Sequence, residues 1–399
     1  MIGVDVPQQD GCWPSALSGQ RLNGRWVLGL EEAGLESFST PTAVHAVGEL
    51  IATAMTASVV VGLPIGEKFR PVRITLGRMS RPAGHVLSWA ARAVAPSARV
   101  VSATGMRAGG NPWLLRLADA GGTCEVVLKT GDVTARQDRR QLVTTVAALE
   151  LAAGHAVPAP RLIAADLDGS AAGTIAVLMT MLPGSSTIPR FASAARLRAL
   201  GAAAGALQGV ALAPRSGLEV RTRALYDMDF AQWRRSAGTS QLLARAEERT
   251  AGRPVPDGEP VLVHGDLWQG NTIWSGESCS GIIDWDAAGA GSPGIDLGTL
   301  RLDVALFFGS SPLESLAGSS GPGSPAADQV LAGWQQAAGR QAENVAYWDV
   351  AAALCTVGDM ACCLPGDLVG ELGRPDLNAA ILTARRDAFL AAALDRLDS

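Results

Sequence analysis

One stretch of the sequence constrains the fold more than any other, because it places polar side chains directly after apolar runs. The run Val261–Val263 leads into His-Gly-Asp-Leu-Trp-Gln-Gly-Asn at positions 264–271, and the run Gly281–Ile283 leads into Asp-Trp-Asp at positions 284–286. Short apolar runs bounded by Gly and polar residues are typical of buried strands. The pattern predicts a fold in which carboxylates and an amide meet just beyond two strand ends.

This set of side chains suits one chemistry in particular. Phosphoryl transfer needs a carboxylate to position and deprotonate the attacking hydroxyl group, and it needs hard oxygen ligands for magnesium on the phosphates. Asp266 suits the first role, whereas Asn271, five residues further on, and Asp284, thirteen beyond that, suit the second. Taken singly, either carboxylate could equally cap a helix or end a strand. The three together, at this spacing, favour the catalytic interpretation.

The two segments resemble motifs of the aminoglycoside phosphotransferase and choline kinase superfamily. Its His-Gly-Asp-x4-Asn loop matches positions 264–271, and the Ile-Asp-Trp of its metal strand is found within 283–286. The likeness extends from about Val100 to the C-terminus. It implies an α+β, bilobal protein-kinase-like fold, with a small antiparallel-sheet nucleotide lobe at 97–183 and a larger helical lobe at 184–399 that binds the acceptor.

The resemblance also implies roles for single residues. Asp266 would be the catalytic base, and Asn271 and Asp284 would bind Mg²⁺. His264 is expected to support the backbone of its loop. Asp296, in the following Pro-x-x-Asp-Leu segment, would support the site from behind and is not expected to bind the metal.

Lysine is scarce in this chain, which draws attention to the few positions that keep it. Only Lys68 and Lys129 occur, against 31 arginines. Lys129 ends the last of three predicted strands, Arg99–Ser102, Trp113–Leu117 and Cys124–Lys129. The resemblance implies that its compact ammonium group pairs with the α- and β-phosphates of a nucleotide. The alternative is a solvated strand end.

Two further segments are expected to hold the nucleotide, ATP or GTP, through their backbone. The stretch 105–111 joins the first two predicted strands and would cover the phosphates. A hinge after the strand Ile175–Met179 would hydrogen-bond the adenine, which leaves its side chains almost free. The implied nucleotide-binding residues are Gly109 and Gly110 in the first segment and Thr180, Met181 and Leu182 in the second.

The helix after the lysine strand departs from the superfamily pattern. It is predicted over Asp138–Ala153, where a glutamate normally pairs with the lysine, yet Thr144 or Thr145 stands at that place. Glu150 lies about a turn later and would substitute only in a rotated helix. A missing ion pair keeps open an alternative function, that of a nucleotide-binding, pseudokinase-like regulator with little turnover.

Residues 1–96 are predicted to form an α/β extension of unknown role. The stretch Val60–Gly66 faintly resembles a family of RNase H-like nucleases, but Gly62 and Leu63 stand where that family has an aspartate. A two-metal nuclease site would therefore be broken. We interpret the segment as a degenerate relic or a packing module.

The rest of the chain is predicted to be mainly helical, with one long loop at 309–325 that is rich in Gly, Ser and Pro. The expected helical regions are Ala194–Gln208, a stretch near Ala224–Arg249, Asp328–Ala338, Val345–Cys363 and Asn378–Leu397.

Charge and hydropathy limit the partners. The formal net charge is −5 at pH 7, and because Lys and Arg dominate affinity for nucleic acid, no nucleic-acid partner is expected. The longest apolar stretch, about 51–64, is too short to cross a bilayer, and no signal-peptide pattern is present. The sequence therefore predicts a cytoplasmic protein with no membrane partner, and it does not indicate the oligomeric state.

The acceptor is expected to be a small hydroxylated molecule, an aminoglycoside or a related antibiotic or metabolite. Choline, homoserine, macrolides and sugars are open alternatives within the superfamily. Aminoglycosides are polycations, which the acidic balance would suit, although the same carboxylates could form a solvated surface. The candidate carboxylates are Asp303, Asp349, Asp359 and Asp367.

Overall fold

The computed structural model describes residues 2–4, 18–22, 25–29, 58–65, 68–75, 81–106, 111–226, 228–308, 325–360, 374 and 376–398. The described residues fall into two compact units, one within 1–83 and 103–113 and the other within 84–102 and 114–399. None of the helices among these residues is long and apolar enough to cross a membrane.

The strands described within residues 1–83 form two antiparallel sheets. Strands β1 (Ile2–Val4), β2 (Ser18–Leu22) and β3 (Arg25–Gly29) form a sheet with β3 in the centre. Strands β4 (Ser58–Ile65) and β5 (Lys68–Thr75) pair with each other. The role of residues 1–96 and the resemblance of this segment to nucleases stay predictions.

After helix α1 (Gly84–Val94), five strands form the sheet expected for a nucleotide lobe. The strands are β6 (Arg99–Gly105), β7 (Trp113–Asp119), β8 (Gly122–Gly131), β9 (Leu162–Asp166) and β10 (Ile175–Thr180). Their order in the sheet is β6-β7-β8-β10-β9, and β10 runs antiparallel to both of its neighbours.

Alternation of side chains explains the strands β7 and β8. Leu115 and Leu117 are buried while Arg116 between them is exposed, and Val126 and Leu128 are buried on β8. A hairpin turn joins the two strands, and in it Asp119 Oδ1 accepts from the Gly121 N–H at 2.7 Å. The three strands predicted between Arg99 and Lys129 are confirmed as β6, β7 and β8.

Helix α2 (Arg136–Ala153) follows the lysine strand, as predicted. Leu142, Val146 and Leu149 recur at the helical spacing of three to four residues and are buried in the main core. Ile175 and Val177 of β10 belong to the same core. The helix therefore packs its apolar face on the sheet, and its polar face remains outside.

The remainder of the chain is mainly helical, which confirms the predicted α+β class. The helices are α3 (Ala194–Leu207), α4 (Phe230–Ala237), α5 (Gln241–Thr250), α6 (Gly294–Phe308), α7 (Pro325–Ala338), α8 (Val345–Leu354) and α9 (Ala379–Asp398). Helix α6 is buried on all sides except at Thr299, as expected for a helix in the centre of a core.

The helical stretch predicted near Ala224–Arg249 consists of two helices, and the first of them begins only at Phe230. Asp229 caps α4 by accepting from the Gln232 N–H, and α4 ends at Gly238, where φ is +98°. Ser240 then caps α5 through the Leu243 N–H. Cap residues this close together end one helix and begin the next.

The helix predicted over Val345–Cys363 was also too long, since α8 ends at Leu354. The Arg234 guanidinium of α4 donates to the carbonyl oxygens of Leu354 and Thr356 at 2.5 and 2.6 Å. It thereby satisfies carbonyl groups that a longer helix would have bonded internally. Residues 309–324, where a loop was predicted, lie outside the described residues.

Five short strands lie around the motifs of the sequence. Strand β11 (Val220–Arg221) runs parallel to β15 (Gly289–Gly291), and β12 (Val261–Val263) pairs antiparallel with β15. Strands β13 (Thr272–Ser275) and β14 (Ser278–Ile282) form a hairpin. These pairings bring the ends of β12 and β14 together.

Candidate active site

A buried carboxylate at the start of α6 holds the loop that follows β12. Asp296 accepts from the backbone N–H groups of His264, at 2.6 Å, and Gly265, at 2.9 Å. Burial raises the pKa of Asp296, and the interactions with His264 and Gly265 offset part of this effect. As expected, Asp296 supports the loop from behind.

His264 connects the two motifs through its ring. Its Nδ1 accepts from the Asp266 N–H at 3.3 Å, so the proton of the neutral ring is on Nε2, which donates to the Ile283 carbonyl at 2.8 Å. The ring also meets Trp285 edge-on, with centroids 4.9 Å apart. The role of His264 is therefore structural, as the sequence indicated.

Asp266 and Asn271 lie beside each other in this loop. The Asn271 amide donates to the Asp266 carbonyl oxygen at 2.9 Å and to Asp266 Oδ2 at 3.2 Å. The Asn271 carbonyl accepts from the Ile283 N–H at 2.9 Å, and Thr272 pairs with Ile282 across the β13–β14 hairpin. The structure thus places Asp266, Asn271 and the segment that begins at Asp284 next to one another.

The oxygen atoms at this point fit a hard divalent cation. Asn271 Oδ1 is buried and has no hydrogen-bond partner in the part of the chain that the structure describes. Buried polar atoms are nearly always satisfied, so such an atom calls for an explanation, and an unseen ion is one of the usual ones. Amide and carboxylate oxygens are the ligand types that Mg²⁺ prefers. Asn271 and Asp284 can therefore hold the ion.

Lys129 reaches the same place from β8. Its Nζ lies 2.8 Å from Asp284 Oδ1 and 2.6 Å from each carboxylate oxygen of Asp286. Burial lowers the pKa of Lys129, but the two carboxylates outweigh burial and the pKa is raised. The lysine is therefore a fixed positive charge beside the candidate metal ligand.

The residue on α2 that faces this ion pair is Thr145. Its hydroxyl lies 2.7 Å from Asp286 Oδ1 and 3.0 Å from the Gln141 carbonyl oxygen. Glu150 is exposed, and the carboxylates on Lys129 are those of Asp284 and Asp286. The sequence indicated that a helix glutamate is missing here, but it did not reveal Asp286 as a partner of the lysine.

Only one of the two predicted nucleotide-binding segments lies wholly within the described residues. Gly109 and Gly110 lie outside the described residues. Thr180 ends β10, three residues along the strand from Val177, which pairs with Lys129; this is about 10 Å at the usual rise per residue. Met181 and Leu182 follow and are half-buried. The predicted hinge therefore follows the strand that pairs with the strand of Lys129. That the hinge binds the nucleotide base stays a prediction.

A second buried carboxylate holds the loop from another side. Asp303 Oδ2 of α6 accepts from the backbone N–H of Gln269 at 3.2 Å and from its side-chain amide at 2.9 Å. Burial raises the pKa of Asp303 to about 7. The sequence offered no signal for this contact, because nothing in the spacing relates positions 269 and 303.

Two of the carboxylates considered for a polycationic acceptor are not available to it. Asp303 is buried against the loop, and Asp349 is fully buried between Arg301 and Arg396. Both are structural, which corrects the expectation that they contact a substrate. Asp359 is exposed, and Asp367 lies outside the described residues.

Comparison with known proteins gives a family match. The model of the phosphotransferase enzyme family matches residues 86–340, which confirms the superfamily resemblance and the protein-kinase-like fold. None of the curated proteins matches the sequence.

Solved structures with a similar fold include three enzymes. Macrolide 2′-phosphotransferase MphH from Brachybacterium faecium, an apoenzyme, has 18% identity and a TM-score of 0.46, over 77% of this chain and 97% of that one. Amicoumacin kinase hAmiN in complex with AMP-PNP, Ca²⁺ and Ami has 14% identity and a TM-score of 0.46, over 74% and 88%. A thermostable mutant of aminoglycoside phosphotransferase APH(4)-Ia with AMP-PNP and hygromycin B has 13% identity and a TM-score of 0.46, over 78% and 99%.

Proposed function

The chain belongs to the phosphotransferase enzyme family, and we propose that this small-molecule phosphotransferase moves the γ-phosphoryl group of ATP or GTP to a hydroxyl group, with Mg²⁺ as its metal ion. One observation carries the proposal. The Asp266–Asn271 pair, linked at 3.2 Å, lies next to the strand end where Lys129 contacts Asp284 at 2.8 Å. The side chains proposed as the base, the two metal ligands and the phosphate-binding cation thus come from distant parts of the chain, and these two contacts support the proposal.

Asp266 is the proposed catalytic base. Its carboxylate accepts the proton of the acceptor hydroxyl while the hydroxyl oxygen bonds to the γ-phosphorus, and the bond from that phosphorus to the β–γ bridging oxygen breaks. The products are a phosphate monoester and a nucleoside diphosphate. Asn271 orients Asp266 by donating to its Oδ2.

The remaining residues hold the nucleotide. Asn271 and Asp284 would ligate Mg²⁺, which neutralises charge on the phosphate oxygens. Lys129 would pair with the α- and β-phosphates, for which its raised pKa keeps it protonated. The backbone of Thr180–Leu182 would bind the base of the nucleotide, and the loop with Gly109 and Gly110 would cover the phosphates.

The acceptor is proposed to be an aminoglycoside or a related hydroxylated antibiotic or metabolite. The burial of Asp303 and Asp349 removes two of the carboxylates that favoured a polycation. Aminoglycosides, macrolides, sugars, choline and homoserine are therefore to be tested side by side.

The regulator alternative rested on the missing helix glutamate. It loses that support because Asp286 supplies a carboxylate to Lys129 at 2.6 Å. Binding of Mg²⁺–AMP-PNP without phosphate transfer to any compound of a broad panel would restore it.

The test is phosphate transfer from γ-labelled ATP or GTP to that panel in the presence of Mg²⁺. Asp266→Ala is expected to lower kcat by about 10²- to 10⁴-fold, the usual contribution of a general base, with AMP-PNP affinity nearly unchanged. Asp257→Ala, which removes an exposed carboxylate, is the matched control and keeps the wild-type rate. A wild-type rate for Asp266→Ala would overturn the mechanism.

A further inference from the structure

The ion pair of the strand lysine is built differently from the arrangement the superfamily resemblance implies. The two carboxylates on Lys129 come from one turn: Asp284 contributes one oxygen at 2.8 Å and Asp286 contributes both of its oxygens at 2.6 Å. This turn follows β14 and contains a left-handed residue, Asp284, with φ +67° and ψ +59°. Helix α2, which would normally supply the partner, contributes none of these three oxygens.

The two carboxylates are not equivalent. Asp284 is the proposed metal ligand, so its oxygens are drawn to the cation when Mg²⁺–nucleotide is bound. Both carboxylate oxygens of Asp286 accept from the Lys129 ammonium group. Asp286 Oδ1 also accepts from the Thr145 hydroxyl at 2.7 Å. A charge-assisted hydrogen bond of this kind fixes the carboxylate in one orientation. Asp286 can therefore keep Lys129 in place while Asp284 serves the metal.

The packing around Thr145 explains why threonine, which cannot pair with a lysine, suits this position. Thr145 is buried, and α2 packs directly on the turn Trp285–Ala287 that contains Asp286. A short hydroxyl side chain leaves room for the Asp286 carboxylate between the helix and Lys129. The charge that a helix glutamate would provide thus comes from the strand end, and the helix provides a hydrogen bond to it.

We propose that Asp286 is the positioning residue for Lys129 in this enzyme, that Thr145 orients Asp286, and that this pair persists when Asp284 binds the metal ion. The inference rests on the proposed function. The segment 284–286 then supplies both the carboxylate that pairs with Lys129 and the proposed metal ligand, and α2 supplies a hydrogen bond to the first of them.

The scarcity of lysine makes the proposal directly measurable. Because Lys68 and Lys129 are the only lysines, a protein with ¹³C-labelled lysine gives two ε-methylene signals, and Lys68→Arg assigns them. The order parameter of the Lys129 signal reports whether the ammonium is held. It is to be measured in the free enzyme and with Mg²⁺–AMP-PNP, so that no turnover is needed.

Four variants separate the roles. Asp286→Ala is expected to lower the order parameter of Lys129 to below about 0.6, the range of flexible groups, whereas Asp284→Ala leaves it ordered. Thr145→Val lowers it partly. Thr144→Val is the matched control without effect, since Thr144 is a buried neighbour whose hydroxyl has no partner within the described residues.

A double variant that moves the carboxylate tests whether Lys129 loses order in Asp286→Ala because the charge is lost or because the local structure changes. Combining Thr145→Glu with Asp286→Ala moves the carboxylate to the helix and is expected to restore the order of Lys129. The rate of phosphate transfer follows the same series, with a loss of about 10- to 100-fold for Asp286→Ala, as is usual for residues that orient a ligand, and a regain in the double variant.

The outcomes distinguish this inference from the proposed function. A Lys129 that stays ordered in Asp286→Ala, a lysine loosened by Asp284→Ala instead, or a folded double variant with no regain would overturn the inference alone. A wild-type lysine spectrum that does not respond to Mg²⁺–AMP-PNP would overturn the proposed function.

Discussion

Asn271 donates its side-chain amide to Asp266 Oδ2 across 3.2 Å, while its own side-chain oxygen is buried and meets no hydrogen-bond partner among the described residues. One side chain thus faces the proposed base with its nitrogen and presents its oxygen to the proposed metal position. An aspartate has the same shape but no donor, so the two functions of Asn271 can be separated by substitution.

Asn271→Asp keeps an oxygen for the metal but places a second carboxylate beside Asp266. Two carboxylates at this distance cannot both ionise easily, so the pair takes up a proton at a higher pH than Asp266 alone. We expect the acidic limb of the kcat–pH profile to move to higher pH and the rate at pH 7 to fall by about tenfold or more. Mg²⁺-dependent AMP-PNP binding should remain, in contrast to Asn271→Ala. An unshifted profile would argue against the pairing.

The buried Asp303 predicts a pH-dependent stability. Burial raises its pKa to about 7 from the ordinary 3.8, so the folded protein holds this proton more tightly than the unfolded chain. The group favours the folded state below about pH 4, and this contribution is lost as the pH rises through about 7.

Asp303→Asn stays neutral at every pH and removes this dependence. Relative to wild type, we expect the free energy of unfolding of the variant to rise between pH 4 and pH 8, by up to about 4 kcal/mol. Urea unfolding at pH 4 and pH 8 measures this change. The exposed Asp257→Asn is the control, whose difference from wild type should not vary with pH; a constant difference for Asp303→Asn would contradict the prediction.

Asp349 is expected to matter for stability and not for the acceptor. It is fully buried, and Arg301 contacts both of its oxygens, at 2.9 and 3.0 Å, while Arg396 adds a contact at 2.8 Å. Removing one partner leaves a buried charge uncompensated, which costs about 3–5 kcal/mol. We therefore expect Asp349→Ala to lower the free energy of unfolding by this amount.

The control for Asp349 is an exposed ion pair. Glu343 is 73% exposed and lies 3.6 Å from Arg340, so Glu343→Ala should change stability by less than about 0.5 kcal/mol. If Asp349→Ala were as stable as wild type but lost affinity for a cationic acceptor, the structural assignment would be wrong.

The sequence predicted the parts of the site that lie within short segments. The spacing of Asp266, Asn271 and Asp284 sufficed because the strands before and after them determine where each one points. The contact between Thr145 and Asp286 joins positions 141 residues apart, and no local pattern reports such a distance. It depends on the left-handed backbone at Asp284, a conformation that aspartate adopts only occasionally.

The helix boundaries failed for a related reason. The end of α8 at Leu354 is satisfied by Arg234 of another helix, so the stop signal is not in the segment itself. The break at Gly238 was visible in the sequence, since glycine commonly ends helices. When the helical periodicity continues on both sides of a glycine, however, a prediction from sequence easily extends one helix across it.

Gly265, between His264 and the proposed base, is expected to tolerate no side chain. Its φ is +78°, and a Cβ would overlap the Ala287 carbonyl oxygen in the turn that follows Asp286. The backbone strain costs about 1–2 kcal/mol, and the overlap must also push the loop away from that turn. We therefore expect Gly265→Ala to lose more than about 2 kcal/mol of stability and most of its activity.

A second glycine separates strain from overlap. Gly276, in the β13–β14 turn, has φ +61°, but nothing lies within 4 Å of a Cβ there, so Gly276→Ala should cost only the strain and keep the wild-type kcat. Chemical denaturation and steady-state kinetics of both variants decide the matter. If the two variants lose equal stability and both remain active, then contact between the Gly265 backbone and the Ala287 carbonyl does not hold the base in position. Asp296 alone, through its bonds to His264 and Gly265, would then suffice to place Asp266.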